Sequence, residues 1–510
     1  MSVFAALLCL RHCVVRAARD HRRPTPSFQR LTPNRATPSR TTTTTTTTTT
    51  LPPSRPQVYG GAHISGGCYN PAIALTRCLA GALGPPGTGL SKDFKKDWPR
   101  FGLYVLVEMV GGLLGAILGY LPRPENSGIA CPAPHAYFHE GQMALNEFLW
   151  CTALCYVALT VLCTGETKDT VGKHYYGFCI GFTVGVAVLF SSLGGSYNPA
   201  VGTGLLIAAA INSPDNDTCS DDNFKYIWIY LLAPMVGAVA GWGLHRLTNG
   251  EHYGDGRFNK VAPFLQEFLG TFYLCLTIGM TSLPSAGGGL APLGIGTILA
   301  IFVYCGGHVS GGQYNPSVSL GVFIRGAQSV GKMFAYIACQ LLGAIAGAFV
   351  AYLQTRYASS EGAAYLDTPG ATALVPVAPH IEGNSKTDLG GVLLGEFVVT
   401  FALVFTVLST ATGTSEKVTG NSYFGIAIGW TVTAGAYAVG TWTGGAFNPA
   451  AWTGLNLVYA FHEDGNPWAD IWAFWVAHLL AGLVAGLFYR VVRDVQAPLG
   501  TVAPAFASPA

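Results

Sequence analysis

Ten predominantly apolar stretches recur along the chain, at about 101–121, 143–163, 175–192, 226–246, 263–282, 290–306, 332–353, 389–411, 423–440 and 470–491. Each approaches the roughly 20 residues that carry one helix across the hydrocarbon core of a bilayer. Between them stand four phrases built alike: "SGGCYNPAIAL" (65–75), "LGGSYNPAVGT" (193–203), "SGGQYNPSVSL" (310–320) and "TGGAFNPAAWT" (443–453). The run after each box, such as "AIALTRCLAGAL" (72–83), is too short to cross and too apolar for a solvated loop. Non-helical backbone persists at membrane depth only where protein or a watery cavity surrounds it. The pattern therefore predicts an all-α membrane protein with ten transmembrane helices and four re-entrant half-helices.

Composition agrees with a bilayer as the main partner. Charged residues make up 11% of the 510 and hydrophobic residues 50%, with 65 glycines. Soluble domains carry about 25% charged residues. A net charge of +2 gives no electrostatic reason to expect a nucleic-acid partner. The 13 cysteines lack the close-paired spacing of a metal site. Cys131 and Cys219, both outside the predicted spans, read as free thiols, with a disulfide as the alternative. No catalytic constellation, nucleotide motif or cofactor motif is present, so an enzyme is not expected.

Residues 1–57, rich in Arg, Ser, Thr and Pro, read as a transit-like or disordered leader, or as a misjoined gene model. Residues 496–510 read as a disordered tail. Loops on one side hold fourteen Lys or Arg, from Lys92 to Arg493; those opposite hold four, Arg123, Lys225, Arg356 and Lys386. The first set is therefore cytoplasmic.

Self-similarity organises the rest. Asn70 and Asn315 are 245 residues apart, and Asn198 and Asn448 are 250 apart. "YYGFCIGFTVGVAV" (175–188) matches "YFGIAIGWTVTAGA" (423–436). The chain thus contains a first repeat, 58–250, a cytoplasmic linker, 251–260, and a second repeat, 261–495. Each repeat holds two boxes entering from opposite faces, an inverted symmetry common in transporters and channels. The second repeat has two spans before its first box and the first repeat has none, so the first reads as truncated. A truncated gene model, a neighbouring helix that completes the site, or an inert first repeat remain open.

The box has a physical logic. Asn is a favoured helix N-cap, and Pro at the next position loses no needed hydrogen bond. Each half-helix then presents its positive dipole end at mid-membrane, where two opposed ends repel cations. The Asn amides are expected to stay free to donate to a passing oxygen.

Four paired boxes, with "EFLGT" (267–271) and "YIACQLLGA" (336–344), resemble the aquaporin, or major intrinsic protein, family over roughly 58–494. The resemblance implies a passive channel for water and small neutral solutes. Its boxes would be Asn70, Pro71 and Ala72; Asn198, Pro199 and Ala200; Asn315, Pro316 and Ser317; and Asn448, Pro449 and Ala450. It also implies a selectivity filter near the outer mouth, at Ile295, Ala436, Gly445 and Ala451 in the second repeat and Val186, Gly195 and Val201 in the first. The family's usual Arg after the second box is absent here, as are a filter His and a constricting aromatic. A wide pore is therefore expected, passing urea, ammonia, hydrogen peroxide or glycerol besides water, with doubtful proton exclusion. Glu147, Glu267 and Glu396 match the family's buried acids that support the half-helix loops.

Other residues carry weaker expectations. Glu108 lies where the second repeat has Gln340 and reads as a protonated stand-in. His63 and His308 read as structural hydrogen-bond partners, with pH gating as the alternative. Cys68 is a candidate for mercurial block. Nothing in the sequence accounts for His478, where the first repeat has Pro234. Family members assemble as tetramers, so two chains could give a pseudo-tetramer. A proton-coupled transporter and a non-conducting structural membrane protein are the rival readings.

Overall fold

The computed structural model describes residues 61, 64–83, 94–120, 132, 138–164, 175–190, 195–212, 221–281, 288–355, 389–412, 421–461, 468 and 470–492. The leader, the tail, His63, Cys131 and Cys219 lie outside the described residues. The helices of the first repeat are α1 (Pro71–Leu79), α2 (Phe94–Tyr120), α3 (Glu140–Cys163), α4 (Tyr176–Phe190), α5 (Pro199–Asn212) and α6 (Ile227–Thr248). Those of the second are α7 (Ala262–Met280), α8 (Ala291–Gly306), α9 (Pro316–Arg325), α10 (Val330–Thr355), α11 (Leu389–Ala411), α12 (Phe424–Thr443), α13 (Pro449–Tyr459) and α14 (Ile471–Val492).

Ten helices occupy the expected spans, and α1, α5, α9 and α13 start at the four boxes. The largest difference is at α2, which begins at Phe94 rather than about 101 and carries Pro99 near its start. Hydropathy misses that extension because Lys95, Lys96, Asp97 and Arg100 lie in it. Helices α2, α3, α6, α10, α11 and α14 are each long and apolar enough to cross a membrane.

The second repeat is built from two halves that exchange their half-helices. α7 packs along α10, α11 along α14, and α8 against α12. Half-helix α9 leaves its own half to pack on α14, and α13 packs on α10. Glycine makes these approaches close. A Cβ added at Gly343 or Gly347 would lie 2.4 or 2.3 Å from the Phe268 or Phe272 carbonyl oxygen of α7. One added at Gly482 would lie 2.5 Å from the Ser317 carbonyl oxygen of α9. Small residues that let backbones touch are the main device of helix association in lipid, where burial of apolar surface gives no driving force.

The first repeat makes the same exchange, with α1 on α6 and α5 on α2, while α3 packs on α6. Counterparts of α7 and α8 are absent among its described helices, and the consequences are local. Only 6% of the apolar window of α2 is buried. A Cβ at Gly111, the counterpart of Gly343, would meet nothing within 4 Å. Tyr69 is 40% exposed, whereas its counterpart Tyr314 is 0% exposed, sealed by Gly270 of α7.

The repeats join through α3 and α4 of the first and α7 and α8 of the second. Aromatic rings fill the seam: Tyr175 stacks on Tyr304 at 5.2 Å and Tyr156 on Phe302 at 6.3 Å. Between the repeats, the linker turns through Gly250–Tyr253 and Gly256–Phe258. There Arg257 reaches Asp255 at 2.7 Å and holds its carboxyl well below the usual carboxylate range.

Candidate functional site: the paired Asn-Pro boxes

Each box is an N-cap with a strained residue in front of it. The Asn side-chain oxygen accepts from the helix's own second backbone N–H: Ala72 at 2.9 Å, Ala200 at 3.0 Å, Ser317 at 2.9 Å and Ala450 at 3.0 Å. The aromatic residue before each Asn adopts a left-handed conformation, with φ of 52° at Tyr69, 53° at Tyr197, 51° at Tyr314 and 45° at Phe447. Such a backbone costs a bulky residue about 1–3 kcal/mol and needs a compensating purpose.

The purpose is visible in the partner box. Asn315 Nδ2 donates to the Phe447 carbonyl at 2.8 Å, and Asn448 Nδ2 donates to the Tyr314 carbonyl at 2.9 Å. The first repeat repeats this cross: Asn70 donates to Tyr197 at 2.8 Å and Asn198 to Tyr69 at 3.0 Å. The left-handed turn aims each aromatic carbonyl at the opposite Asn, so the two half-helices are clasped tip to tip. This corrects the expectation of free amides. One N–H of each Asn is taken by the clasp, and the second of its two remains to donate elsewhere.

Buried acids hold the loops from behind. Glu147 accepts from the backbone N–H groups of Ser196 and Tyr197, the latter at 2.8 Å. Glu267 accepts from the backbones of Gln313 at 2.9 Å and Tyr314 at 2.6 Å, and from Ser310 Oγ at 2.6 Å and Gln340 Nε2 at 2.8 Å. Glu396 accepts from Ala446 at 3.3 Å and Phe447 at 2.8 Å. His478 Nε2 lies 2.7 Å from Glu396 Oε2, which gives this residue the place on α14 that Gln340 has on α10. A hydroxyl completes the loop: Ser310 Oγ and Thr443 Oγ1 accept from Gly312 and Gly445, each at 3.0 Å. The sequence signal for it is the Ser or Thr before Gly-Gly in three of the four boxes.

In the second repeat the clasp borders a cavity of about 260 Å³. Ile295, Ala436, Gly445 and Ala451 all line it, as do Asn315 and Asn448. One stripe of α12 (Ile428, Val432, Ala436 and Gly440, four residues apart) follows it for most of the helix's length. The wall from α8, α11 and α12 is aliphatic apart from Thr441 of α12, and Gln313, Tyr314, Asn315 and Asn448 of the box loops bring the other polar side chains. In the first repeat Val186 is buried in α4, and Gly195 and Val201 are half-buried in and just after the second box loop.

Several residues sit differently from their counterparts. Cys68 is 4% exposed, and its sulfur lies 3.3 Å from the guanidinium of the equally buried Arg77. Glu108 is half-buried on α2 near the Asn70 backbone, and its Oε2 has no partner among the described residues. It does not repeat the Gln340 bridge. His308 Nε2 lies 2.6 Å from Asn249 Oδ1, at the junction of the repeats. Ser317 is wholly buried and its backbone keeps the cap.

Two half-helices of opposite origin, exchanged between halves and clasped at their N-termini, define a multi-pass membrane protein of the inverted-repeat, re-entrant-helix class. The chain belongs to the major intrinsic protein family, whose sequence model matches it twice, at residues 56–245 and 257–489. It is 33% identical to aquaporin-4 of Mus musculus over 235 residues, covering 44% of this chain and 65% of that protein. The human aquaporin-4 is 34% identical over 203 residues, 40% of this chain and 56% of that one. Aquaporin PIP2-4 of Oryza sativa subsp. japonica is 30% identical over 267 residues, 48% of this chain and 85% of that one. The chain thus spans under two thirds of the length of the aquaporin-4 relatives. Among solved structures, the aquaglyceroporin from Plasmodium falciparum matches at 23% identity and a TM-score of 0.38, covering 46% of this chain and 96% of that one.

Proposed function

We propose that the second repeat is a passive channel for water and small neutral solutes, entered through Ile295, Ala436, Gly445 and Ala451. The observation that carries this reading is that these four residues and both clasped asparagines border one cavity of about 260 Å³. The spare N–H of Asn315 and of Asn448 offers a hydrogen bond to a permeating oxygen. The opposed half-helix N-termini place positive potential at the same depth and disfavour a cation there. The opposite aliphatic wall takes the hydrocarbon or hydrogen face of a solute without competing for its polar atoms. With Ala451 where an arginine commonly stands in the family, the outer mouth has neither bulk nor fixed charge. Urea, ammonia, hydrogen peroxide and glycerol fit such a mouth.

The three box acids support a channel over a proton-coupled carrier. Each is occupied by loop N–H donors, and Glu267 by four donors. The expected result in proteoliposomes containing the full chain is fast osmotic water flow together with urea and glycerol uptake that is linear in concentration. Stopped-flow light scattering reads both. Water flow without urea or glycerol uptake refutes the wide mouth, and saturable uptake that follows a proton gradient refutes the channel.

A further inference from the structure

A line of buried hydrogen bonds crosses the seam between the repeats and ends at the box of the second. His308 Nε2 donates to Asn249 Oδ1 at 2.6 Å, and Asn249 Nδ2 donates to Thr248 Oγ1 at 2.9 Å. Thr248 Oγ1 donates its one proton to the Leu244 carbonyl at 2.9 Å and lies 3.3 Å from the Tyr156 hydroxyl. Tyr156, on α3 of the first repeat, donates to Gln266 Oε1 on α7 of the second. Gln266 Nε2 donates to the Tyr314 hydroxyl at 2.8 Å, and that hydroxyl donates to the Phe302 carbonyl at 2.8 Å. From Tyr156 through Gln266 and Tyr314 to the Phe302 carbonyl each group passes its hydrogen bond onward in one direction, the arrangement in which neighbouring bonds polarise and strengthen one another.

The two runs, one from His308 to the Leu244 carbonyl and one from Tyr156 to the Phe302 carbonyl, reach one segment. His308 opens the loop that leads to the third box, and Tyr314 is its left-handed aromatic, whose carbonyl holds Asn448 at 2.9 Å. The three central side chains are buried to the limit: Tyr314 and Gln266 are 0% exposed and Tyr156 is 1% exposed. Gly306 of α8 packs directly on two of these members. A Cβ added at Gly306 would lie 1.9 Å from the Tyr314 hydroxyl and 2.7 Å from Gln266 Nε2.

We propose that Tyr156 of the first repeat is a positioning residue for the passage of the second, acting through Gln266 on Tyr314. The first repeat then contributes to conduction through the second: it supplies the donor that fixes the Gln266 amide, which fixes the ring whose backbone clasps Asn448. This inference rests on the channel reading of the second repeat.

The test is a cycle of full-length variants, with water and urea flux measured per molecule of protein in proteoliposomes. Tyr156→Phe removes one hydroxyl and keeps the ring. We expect it to lower flux about threefold or more, the scale of one buried hydrogen bond, and to change the water-to-urea ratio. Tyr314→Phe is expected to do the same. The double variant is expected to be no worse than Tyr314→Phe alone, because the relay is already cut. Effects that multiply in the double variant, or Tyr156→Phe with wild-type flux and ratio, overturn the proposal. If the unsubstituted protein shows no flux, the channel reading fails. The relay is then judged by thermal unfolding of the same four proteins: coupled shifts support it, and additive shifts overturn it.

Discussion

Replacing Glu267 with Leu is expected to leave little folded protein. The carboxylate is wholly buried and accepts four hydrogen bonds, two from the backbone at Gln313 and Tyr314 and two from Ser310 and Gln340. Leucine fits the space and accepts none of them. Each buried donor left without an acceptor costs about 1–3 kcal/mol, so the sum is comparable to the stability of a domain. Because the released backbone groups belong to the left-handed turn at Tyr314, the clasp to Asn448 should be the first structure lost. Glu267→Gln keeps one oxygen as acceptor and should fold, with a lowered melting temperature. Glu147→Leu strands the backbone N–H groups of Ser196 and Tyr197 and should be milder. Fluorescence-detected size exclusion with a thermal ramp ranks the three. A Glu267→Leu protein as stable as wild type would show that the loop is held by something else.

The second large effect is expected at Ala451, in the proposed outer mouth. Ala451→Arg should extinguish urea and glycerol flux while sparing part of the water flow. Residue 451 follows the capped Ala450 in α13 and borders the cavity with Ile295, Ala436 and Gly445. Residue 451 is 1% exposed and packs with Cys275 and Ala344, so the new side chain has room only on the cavity side, where its guanidinium is expected to donate to carbonyl oxygens of the 443–446 loop. It removes cross-section and adds a fixed positive charge. We expect solute flux to fall about tenfold or more, or about 1.4 kcal/mol of barrier, with a larger fall for glycerol than for water. Proton leak, read with a pH-sensitive dye inside the vesicles, should fall as well. Unchanged urea flux in a well-folded Ala451→Arg protein would place the limiting constriction elsewhere.

The parts of this architecture legible in the sequence were those written in local patterns. An apolar run of about 20 residues, or an Asn-Pro followed by a short apolar run, states its own structure. The spacing of Asn70 to Asn315 and of Asn198 to Asn448 made the duplication plain. What stayed hidden depends on a backbone angle or on distance along the chain. Nothing in the letters Tyr-Asn-Pro says that Tyr314 is left-handed, so the amides looked free when half of their capacity is spent on the clasp. His478 had no evident role because its acid, Glu396, is 82 residues away. Tyr156 and Gln266 are 110 residues apart and in different repeats, each unremarked within its own helix. The four positions proposed as the filter were countable from the boxes. Their meeting around one cavity required the exchanged packing of α9 on α14 and α13 on α10.

The central claim is that solutes pass Asn315 and Asn448 through the cavity of the second repeat. A cysteine at Ala436, which borders that cavity on α12, tests it most directly. Ala436→Cys in the full chain is a small change, and a bulky water-soluble thiol reagent then occupies the lumen; the unsubstituted protein, treated alike, reports on the native cysteines. Water and urea flux should both collapse in proportion to the fraction of residue 436 modified. Complete modification with undiminished flux would mean that solutes travel by another route.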